Sequence, residues 1–300
     1  MTDAERESLL SQWAKLPSNS EQTRQEIAER VLAIQSAIAN SDSLRNRDIR
    51  VSVQGSYRNN TNVRLYTDVD IGVCLMDIFT TDYTFAQGYS DKKLGISDAA
   101  YTHPRFRNEL EAALIAAFGR QSVKRRNVEF RLTQSHKRID ANVVPCIEHR
   151  RYRSNGSYYS GTTLHPDSGA SFESWPEQHF VNRATKNTKT GKRFNQFVRI
   201  MKNLCNYLGS QGFPQAKGIT SFLNECLVYN TPNNLLDSGK LSGGLRETLI
   251  HLRQGIAADE QSLKWLEITE MNYLFHSSRP WTRESALDWI MTAWDWLEYQ

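Results

Sequence analysis

The 300-residue sequence is poor in cysteine: Cys74, Cys146, Cys205 and Cys226 are widely spaced and form no C-x-x-C pair. That scarcity excludes a disulfide scaffold, and the mostly apolar neighbours suit reduced core thiols, which points to the cytosol. No run of about eighteen apolar residues occurs, so no membrane-spanning helix is expected and no membrane partner. Residues Met1 to Leu10 carry Asp3, Glu5 and Glu7 where a secretory signal would be basic and then apolar, so a cytoplasmic protein is expected. Charge of one sign is scarce too. A formal net charge of +4 does not mark a nucleic-acid binder by itself. Basic residues do gather at Lys124-Arg125-Arg126, Lys137-Arg138, Arg150-Arg151 with Arg153, and from Arg183 to Lys202. Any single cluster reads first as a solvated face, and otherwise as the rim of a phosphate site, and nucleic-acid binding stays open.

Internal repeats and low-complexity tracts are absent as well, and the periodicities that remain define two halves. Gln22 to Ala39 has Ile27, Val31, Ile34 and Ile38 at helical spacing, with Ser20 or Glu21 near its start. Ile49 to Val53 and Val69 to Leu75 read as strands joined by a polar turn, with a loop over Ser90 to Ser97 and a helix over Pro104 to Phe118. Val123 to Thr133, Lys137 to Ile147 and Tyr152 to Ser160 predict a meander of antiparallel strands. Beyond Trp175-Pro176 helices are expected near Pro176 to Lys186, Phe194 to Leu208, Thr220 to Val228, Leu245 to Arg253 and Thr282 to Tyr299. The last presents Leu287, Ile290, Met291, Trp294 and Leu297 as a core stripe. The expected class is α+β: residues 1–175 form a sheet flanked by helices, and residues 176–300 a helical domain.

The stretch that carries chemistry is Gln54-Gly55-Ser56-Tyr57-Arg58-Asn59-Asn60-Thr61-Asn62-Val63-Arg64, followed by Thr67-Asp68-Val69-Asp70-Ile71-Gly72-Val73. Glycine lets a backbone approach a phosphate without a Cβ in the way, and the serine after it adds a hydroxyl donor there. Asp68 and Asp70 are two apart on a strand and so share a face, with Val69, Ile71 and Val73 on the other. Two carboxylates side by side repel unless a cation neutralises them. The plain alternative is an exposed strand start carrying two incidental acids.

Asp140 is the third acid, in Arg138-Ile139-Asp140-Ala141-Asn142-Val143-Val144-Pro145, an apolar strand where an unpaired carboxylate is costly. Beside the D-x-D strand it completes a triad for two magnesium ions; alone it would pair equally well with Lys137 or Arg138.

With these residues in hand the sequence resembles the nucleotidyltransferase superfamily with a DNA polymerase beta-like core, whose signature is G-S, then D-x-D, then a strand-borne Asp. Within it the chain is similar to bacterial relatives of cyclic GMP-AMP synthase, the CD-NTases of anti-phage CBASS defence. The likeness rests on Gly55 to Arg64 running into Asp68-Val69-Asp70, on Asp140 with Val144-Pro145, and on Trp175-Pro176-Glu177-Gln178-His179-Phe180 through Lys186-Asn187 to Phe197-Val198-Arg199-Ile200-Met201-Lys202. It spans roughly residues 20 to 210 and implies a polymerase beta-like core plus a helical C-terminal domain that completes the nucleotide cleft.

The resemblance implies that Asp68, Asp70 and Asp140 bind Mg2+ or Mn2+, two ions in all, and that Asp140 helps deprotonate the acceptor hydroxyl. Gly55 and Ser56 would hold the triphosphate, with Gln54 beside them among the nucleotide-binding residues, Lys202 would reach the phosphates, and Arg199, one turn earlier on that face, would assist. Lys186 belongs to the same block. Asn182 offers an amide to a base edge, purine or pyrimidine, or solvates a helix face. Tyr57 either stacks on a base or packs beneath the turn. His179 reads equally as a structural histidine.

The activity this implies is synthesis of a cyclic di- or trinucleotide second messenger from nucleoside triphosphates, with release of pyrophosphate, for a separate effector to read. The same triad serves an enzyme that adds nucleotides to RNA, or one that transfers a nucleotide to a small hydroxylated acceptor, and a non-catalytic nucleotide sensor is a further reading. Some relatives end in a flexible tail of small residues used for attachment to a partner. Here the helical pattern runs to Gln300, which leaves a regulatory protein partner open.

Overall fold

A computed structural model describes residues 1–17, 21–64, 68–97, 99–133, 139–237 and 239–299. Ser20, Thr67 and the Lys137-Arg138 pair therefore lie outside the described residues. The helices are α1 (Asp3–Ala14), α2 (Glu21–Ala39), α3 (Gly55–Asn59), α4 (Asp91–Leu94), α5 (His103–Phe118), α6 (Pro176–Lys189), α7 (Arg193–Ser210), α8 (Ser221–Tyr229), α9 (Asn233–Leu236), α10 (Leu241–Ala257), α11 (Asp259–Ser262) and α12 (Arg283–Trp296). The strands are β1 (Ile49–Gln54), β2 (Val69–Phe85), β3 (Val123–Arg125), β4 (Phe130–Leu132), β5 (Ala141–Arg153), β6 (Tyr158–Leu164) and β7 (Phe172–Ser174). Two compact units emerge. One comprises Ser18–Arg58 with Arg64–Glu177; the other comprises Met1–Pro17, Asn59–Val63 and Gln178–Gln300.

The first unit is built on a sheet ordered β1-β2-β5-β4-β3, with β6 on β5 and β7 on β6. Val69, Ile71, Val73 and Leu75 alternate along β2 and are fully buried. This is the period-two signature of a half-covered strand. Their face packs with Ile34 and Ile38 of α2 and with Phe106, Leu110 and Leu114 of α5 in one apolar core. Burying side chains of this size removes about 1.5–3 kcal/mol each from water exposure, so α2 and α5 fix which face stays polar.

The expected antiparallel meander is present, with β3 paired to β4, β4 to β5 and β5 to β6, and it joins β2 in a mixed sheet. β5 runs parallel to β2, with Val69 opposite Ala141 and Ile71 opposite Val143, while β4 and β6 pair antiparallel to it. Two strands separated by the whole of α5 have chain enough for a parallel crossover, which local alternation does not reveal. β2 also continues ten residues past Leu75, to Phe85. The polar turn after β1 is the short helix α3, and the Ser90 to Ser97 loop contains α4.

Three histidines of this unit are kept neutral. Burial, and then the neighbouring His165, pushes His103 down to about 4, and burial also lowers His149 and His165. The unfolded chain binds protons at these positions from pH ~6.5 downward, whereas the folded one does not. Their contribution is thus complete above pH ~6.5 and is lost as the pH falls towards 4. Urea midpoints are expected to drop between pH 7 and 5, and less steeply in His103→Gln; equal pH slopes for the two proteins would refute this.

The second unit is helical around Phe194, Phe197, Met201 and Leu204 of α7, Leu245 and Leu249 of α10, and Trp289 and Ile290 of α12. Helix α1, absent from the sequence reading, adds Leu10 and Ala14 to this core. It starts at a capping box between Thr2 and Glu5. Glu7 accepts the backbone N–H groups of Leu241 and Ser242, placing a negative charge at the N-terminus of α10. The buried face of α12 is centred on Ala286, Trp289, Ile290 and Ala293, one position round from the expected stripe. The Trp289 indole N–H donates to buried Asn224, which turns this one of the helix's three tryptophans fully inward. Among the described residues no helix is long and apolar enough to cross a membrane.

Candidate active site

Strand register draws the polar face of the first unit. Gln54 of β1 lies opposite Asp70 of β2, Asp70 opposite Asn142 of β5, Asn142 opposite Arg131 of β4, and Arg131 opposite Lys124 of β3. Laterally paired residues share a face, so this row lies on the side away from Ile71, Val143 and Phe130. Asp68 and Asp140 sit one step earlier on adjacent strands, and the Val69 N–H donates to the Asp140 carbonyl at 2.8 Å. Asp68, Asp70, Asp140 and Asn142 are thus the corners of a quadrilateral on one face.

Two of these corners share a guanidinium. Arg131 Nη2 lies 3.2 Å from Asp140 Oδ2 and 3.4 Å from Asp68 Oδ1, and its Nε lies 3.2 Å from Asp68 Oδ2. Asp70 Oδ1 accepts from Asn142 Nδ2 at 3.2 Å, while the buried Asn142 Oδ1 accepts no hydrogen bond. Among the described residues no three His, Cys, Asp or Glu side chains are drawn together as a finished ligand cage. Asp68 and Asp140 are brought together through Arg131, and Asp70 through Asn142.

Gly55 has φ of +64° at the start of α3, and a Cβ on it would collide with Asp70 Oδ2. Only glycine allows both the left-handed backbone and that approach. A Cβ on Gly72 would likewise run into the Gln54 amide. Tyr57 is buried in the apolar core with Val69 and Ile71. Arg58 is held by Glu177 through two 2.8 Å bonds, and this pairing, ahead of the opposing effect of burial, lowers the Glu177 carboxyl below its ordinary range.

The remaining candidates lie in the helical unit. Lys202 is 4 % exposed and its Nζ is 2.8 Å from Glu225, which also accepts from Thr61 at 2.9 Å and pairs with His179 at 2.7 Å. Burial alone would raise the Glu225 carboxyl, but the Lys202 charge and the bonds from His179 and Lys202 outweigh it and hold it well below the usual range. Arg199 donates to the carbonyls of Ala14 and Asn60. Lys186 donates to the Thr231 carbonyl and Asn233; burial, then Lys189, brings its ammonium down to about 8. Asn182 donates to the Ile268 carbonyl at 2.9 Å. Sequence reasoning missed Arg131, Asn142 and Glu225. The signal for Glu225 was present as an acid inside the apolar run Ser221–Tyr229.

Residues 181–298 match the model of the cGAS/DncV-like nucleotidyltransferase C-terminal helical domain. The chain is 38 % identical over 294 residues to the cyclic dipyrimidine nucleotide synthase CdnE of Legionella pneumophila, covering 97 % of this chain and 98 % of that protein. The chain belongs to the cGAS/DncV-like nucleotidyltransferases. The cyclic dipyrimidine nucleotide synthase CdnE of Cecembia lonarensis is 34 % identical, with 98 % of each chain covered. The structure of the Rhodothermus marinus CdnE c-UMP-AMP synthase with Apcpp and Upnpp superposes with a TM-score of 0.84 at 25 % identity, covering 98 % of this chain and 97 % of that one. As a CD-NTase the protein is an enzyme, a cyclic nucleotide synthase that works on nucleoside triphosphates. Its mixed sheet and helical C-terminal region are those of the family.

The donor set at the corner fits the divalent cation that such chemistry calls for. Carboxylates of Asp68, Asp70 and Asp140 are hard oxygen ligands of the kind Mg2+ and Mn2+ take. The buried Asn142 Oδ1, which accepts no hydrogen bond, is a further neutral oxygen on the side chain that holds Asp70.

Proposed function

We propose that this protein joins two pyrimidine nucleoside triphosphates into a cyclic dinucleotide, releasing pyrophosphate at each step, with Asp68, Asp70 and Asp140 as its reaction centre. The observation that carries this reading is that Asp68, Asp70 and Asp140 share the polar face at the start of β2 and β5, in a chain whose near-full-length relatives are named dipyrimidine synthases.

Asp68, Asp70 and Asp140 would hold two Mg2+ or Mn2+ ions. When bound, such ions activate the attacking hydroxyl and neutralise charge on the phosphates and the departing pyrophosphate. The Gly55 backbone, opened by its left-handed φ, and the Ser56 hydroxyl donate to triphosphate oxygens, and Gln54 borders them. Asp140, exposed to solvent at 29 %, takes the proton of the attacking ribose hydroxyl as the new P–O bond forms and the bond to the β-phosphate breaks. A second turn of the same chemistry closes the ring.

Asn182, anchored through its amide donor to Ile268, presents Oδ1 to the N–H edge of a pyrimidine. Lys202, Arg199 and Lys186 act in the helical unit by fixing the segment Asn59 to Val63 and the chain near Thr231. The product serves a separate effector in anti-phage signalling.

Incubation with each labelled nucleoside triphosphate, singly and in pairs, with Mg2+ or Mn2+, tests this reading. After phosphatase treatment, mass spectrometry is expected to show a resistant cyclic product made from UTP, CTP or both. A product built from purines alone would overturn the base assignment, and extension of an added RNA primer would overturn cyclic synthesis.

A further inference from the structure

We propose that Arg131 is a resident counter-ion of the carboxylate corner: it holds Asp68 and Asp140 together when no divalent cation is bound and competes with the cation these two side chains share. The inference rests on the metal-holding reading of Asp68, Asp70 and Asp140 given above.

The geometry is specific to this side chain. Arg131 is central in the three-residue strand β4, between Phe130 and Leu132, which are fully buried in the apolar core. Its backbone is therefore pinned while its side chain remains 35 % exposed. Strand alternation sends it to the polar face, where register sets it opposite Asn142 and within 3.4 Å of both carboxylates. An arginine keeps its charge at any working pH and presents a planar fork of donors, which suits a group bridging two separate carboxylates. Asp68 and Asp140 lie side by side on parallel strands, and without a cation between them their charges repel.

A divalent ion bound by both carboxylates sits about 2.0–2.2 Å from their oxygens, inside the volume the guanidinium holds, and carries charge of the same sign. Both cannot occupy it. Binding of that ion is therefore an exchange: Arg131 swings towards solvent, to which a third of it is already open, and the metal inherits the pair. The guanidinium thereby keeps the corner assembled between turnovers at the expense of metal affinity. Asp70 Oδ1 accepts from Asn142 Nδ2, while the Arg131 guanidinium lies against Asp68 and Asp140, so the exchange concerns the ion those two share.

The test uses the full chain and Mn2+ alone, with free Mn2+ followed by electron paramagnetic resonance and the melting temperature read in EDTA and in Mn2+. Arg131→Met is expected to bind Mn2+ about tenfold more tightly than the parent protein, the scale of one charge interaction near a protein surface after solvent screening. It is also expected to melt lower in EDTA and to gain more on adding Mn2+. Arg131→Lys, which keeps the charge without the fork, should lie between the two in affinity. If the parent protein binds Mn2+ in a manner lost in Asp68→Asn/Asp70→Asn, but Arg131→Met binds it no more tightly, the counter-ion role is wrong and the metal site stands. Should Mn2+ binding be absent from the parent, or indifferent to the two aspartates, the metal reading falls and this inference with it.

Discussion

Replacing Glu225 with alanine is expected to lower the melting temperature by about 10 °C, although Glu225 is a single residue on α8. Its carboxylate is 4 % exposed and is the shared acceptor for Lys202, Thr61 and His179. Removing it leaves the Lys202 ammonium, itself 4 % exposed, without its counter-charge in the core of the helical unit. An uncompensated buried charge costs about 3–5 kcal/mol, and each kcal/mol moves a unit of this size by roughly 2–4 °C. The double variant Glu225→Leu/Lys202→Met removes both charges and is expected to recover most of the loss, because the pair is stabilising chiefly relative to its broken half. Thermal unfolding of the two variants decides this. Equal melting temperatures for the parent and Glu225→Ala would show that the ion pair is not closed to water.

The pair also sets a pH window. The folded carboxyl of Glu225 titrates below its unfolded value, so its contribution is complete above pH ~4.5 and is lost only as the pH falls below that. This lies beneath the window of His103, His149 and His165, and acid unfolding of the chain should therefore begin with the sheet unit.

Asp70→Asn and Asp68→Asn are each expected to reduce turnover by about 10²–10³-fold, with the fold intact. Neither carboxylate is needed to hold the sheet together: Asn at position 70 still accepts from Asn142 Nδ2, and the apolar faces of β2 and β5 are untouched. What is lost is charge at the reacting phosphates. Losing a preorganised electrostatic contact of this kind costs about 3–4 kcal/mol in the transition state, and each 1.36 kcal/mol is roughly a factor of ten. Product formation measured by mass spectrometry, beside circular dichroism of each variant, checks both halves. Turnover within tenfold of the parent in either variant would remove that aspartate from the reaction centre.

Much of the sheet unit was legible because its signals are local. The period of two in Val69 to Leu75, the helical spacing of Ile27 to Ile38, and the D-x-D pair all lie within short windows. Asp140 was marked as an acid in an apolar strand that needs a partner, and the family resemblance set it beside the D-x-D pair. The parallel sense of β2 and β5 was not legible, since it follows from the crossover path of the chain between them. Arg131 was hidden for the same reason: its meeting with Asp68 spans 63 residues and depends on the register of three strands. Asn142 stands in the quoted sequence two residues from Asp140, yet only register shows it facing Asp70.

The helical unit repeats this lesson. The spacing of α7 marked its apolar face, but Lys202 reads in sequence as an exposed helical lysine until Glu225, 23 residues on, is seen against it. Arg199 and Lys186 are likewise polar residues turned towards carbonyls that the chain brings from elsewhere. Helix α1 was legible and overlooked: Thr2 and Glu5 spell a capping box, and Leu10 and Ala14 fall on one face after it.

The central claim is that Asp68, Asp70 and Asp140 hold the divalent ions of nucleotidyl transfer. Crystals grown with Mn2+ and a non-hydrolysable pyrimidine nucleoside triphosphate analogue test it most directly, through anomalous scattering at the manganese edge. The account predicts manganese peaks coordinated by these three side chains, with the Arg131 guanidinium displaced from Asp68 and Asp140. An ordered nucleotide whose manganese lies away from the three aspartates would contradict it.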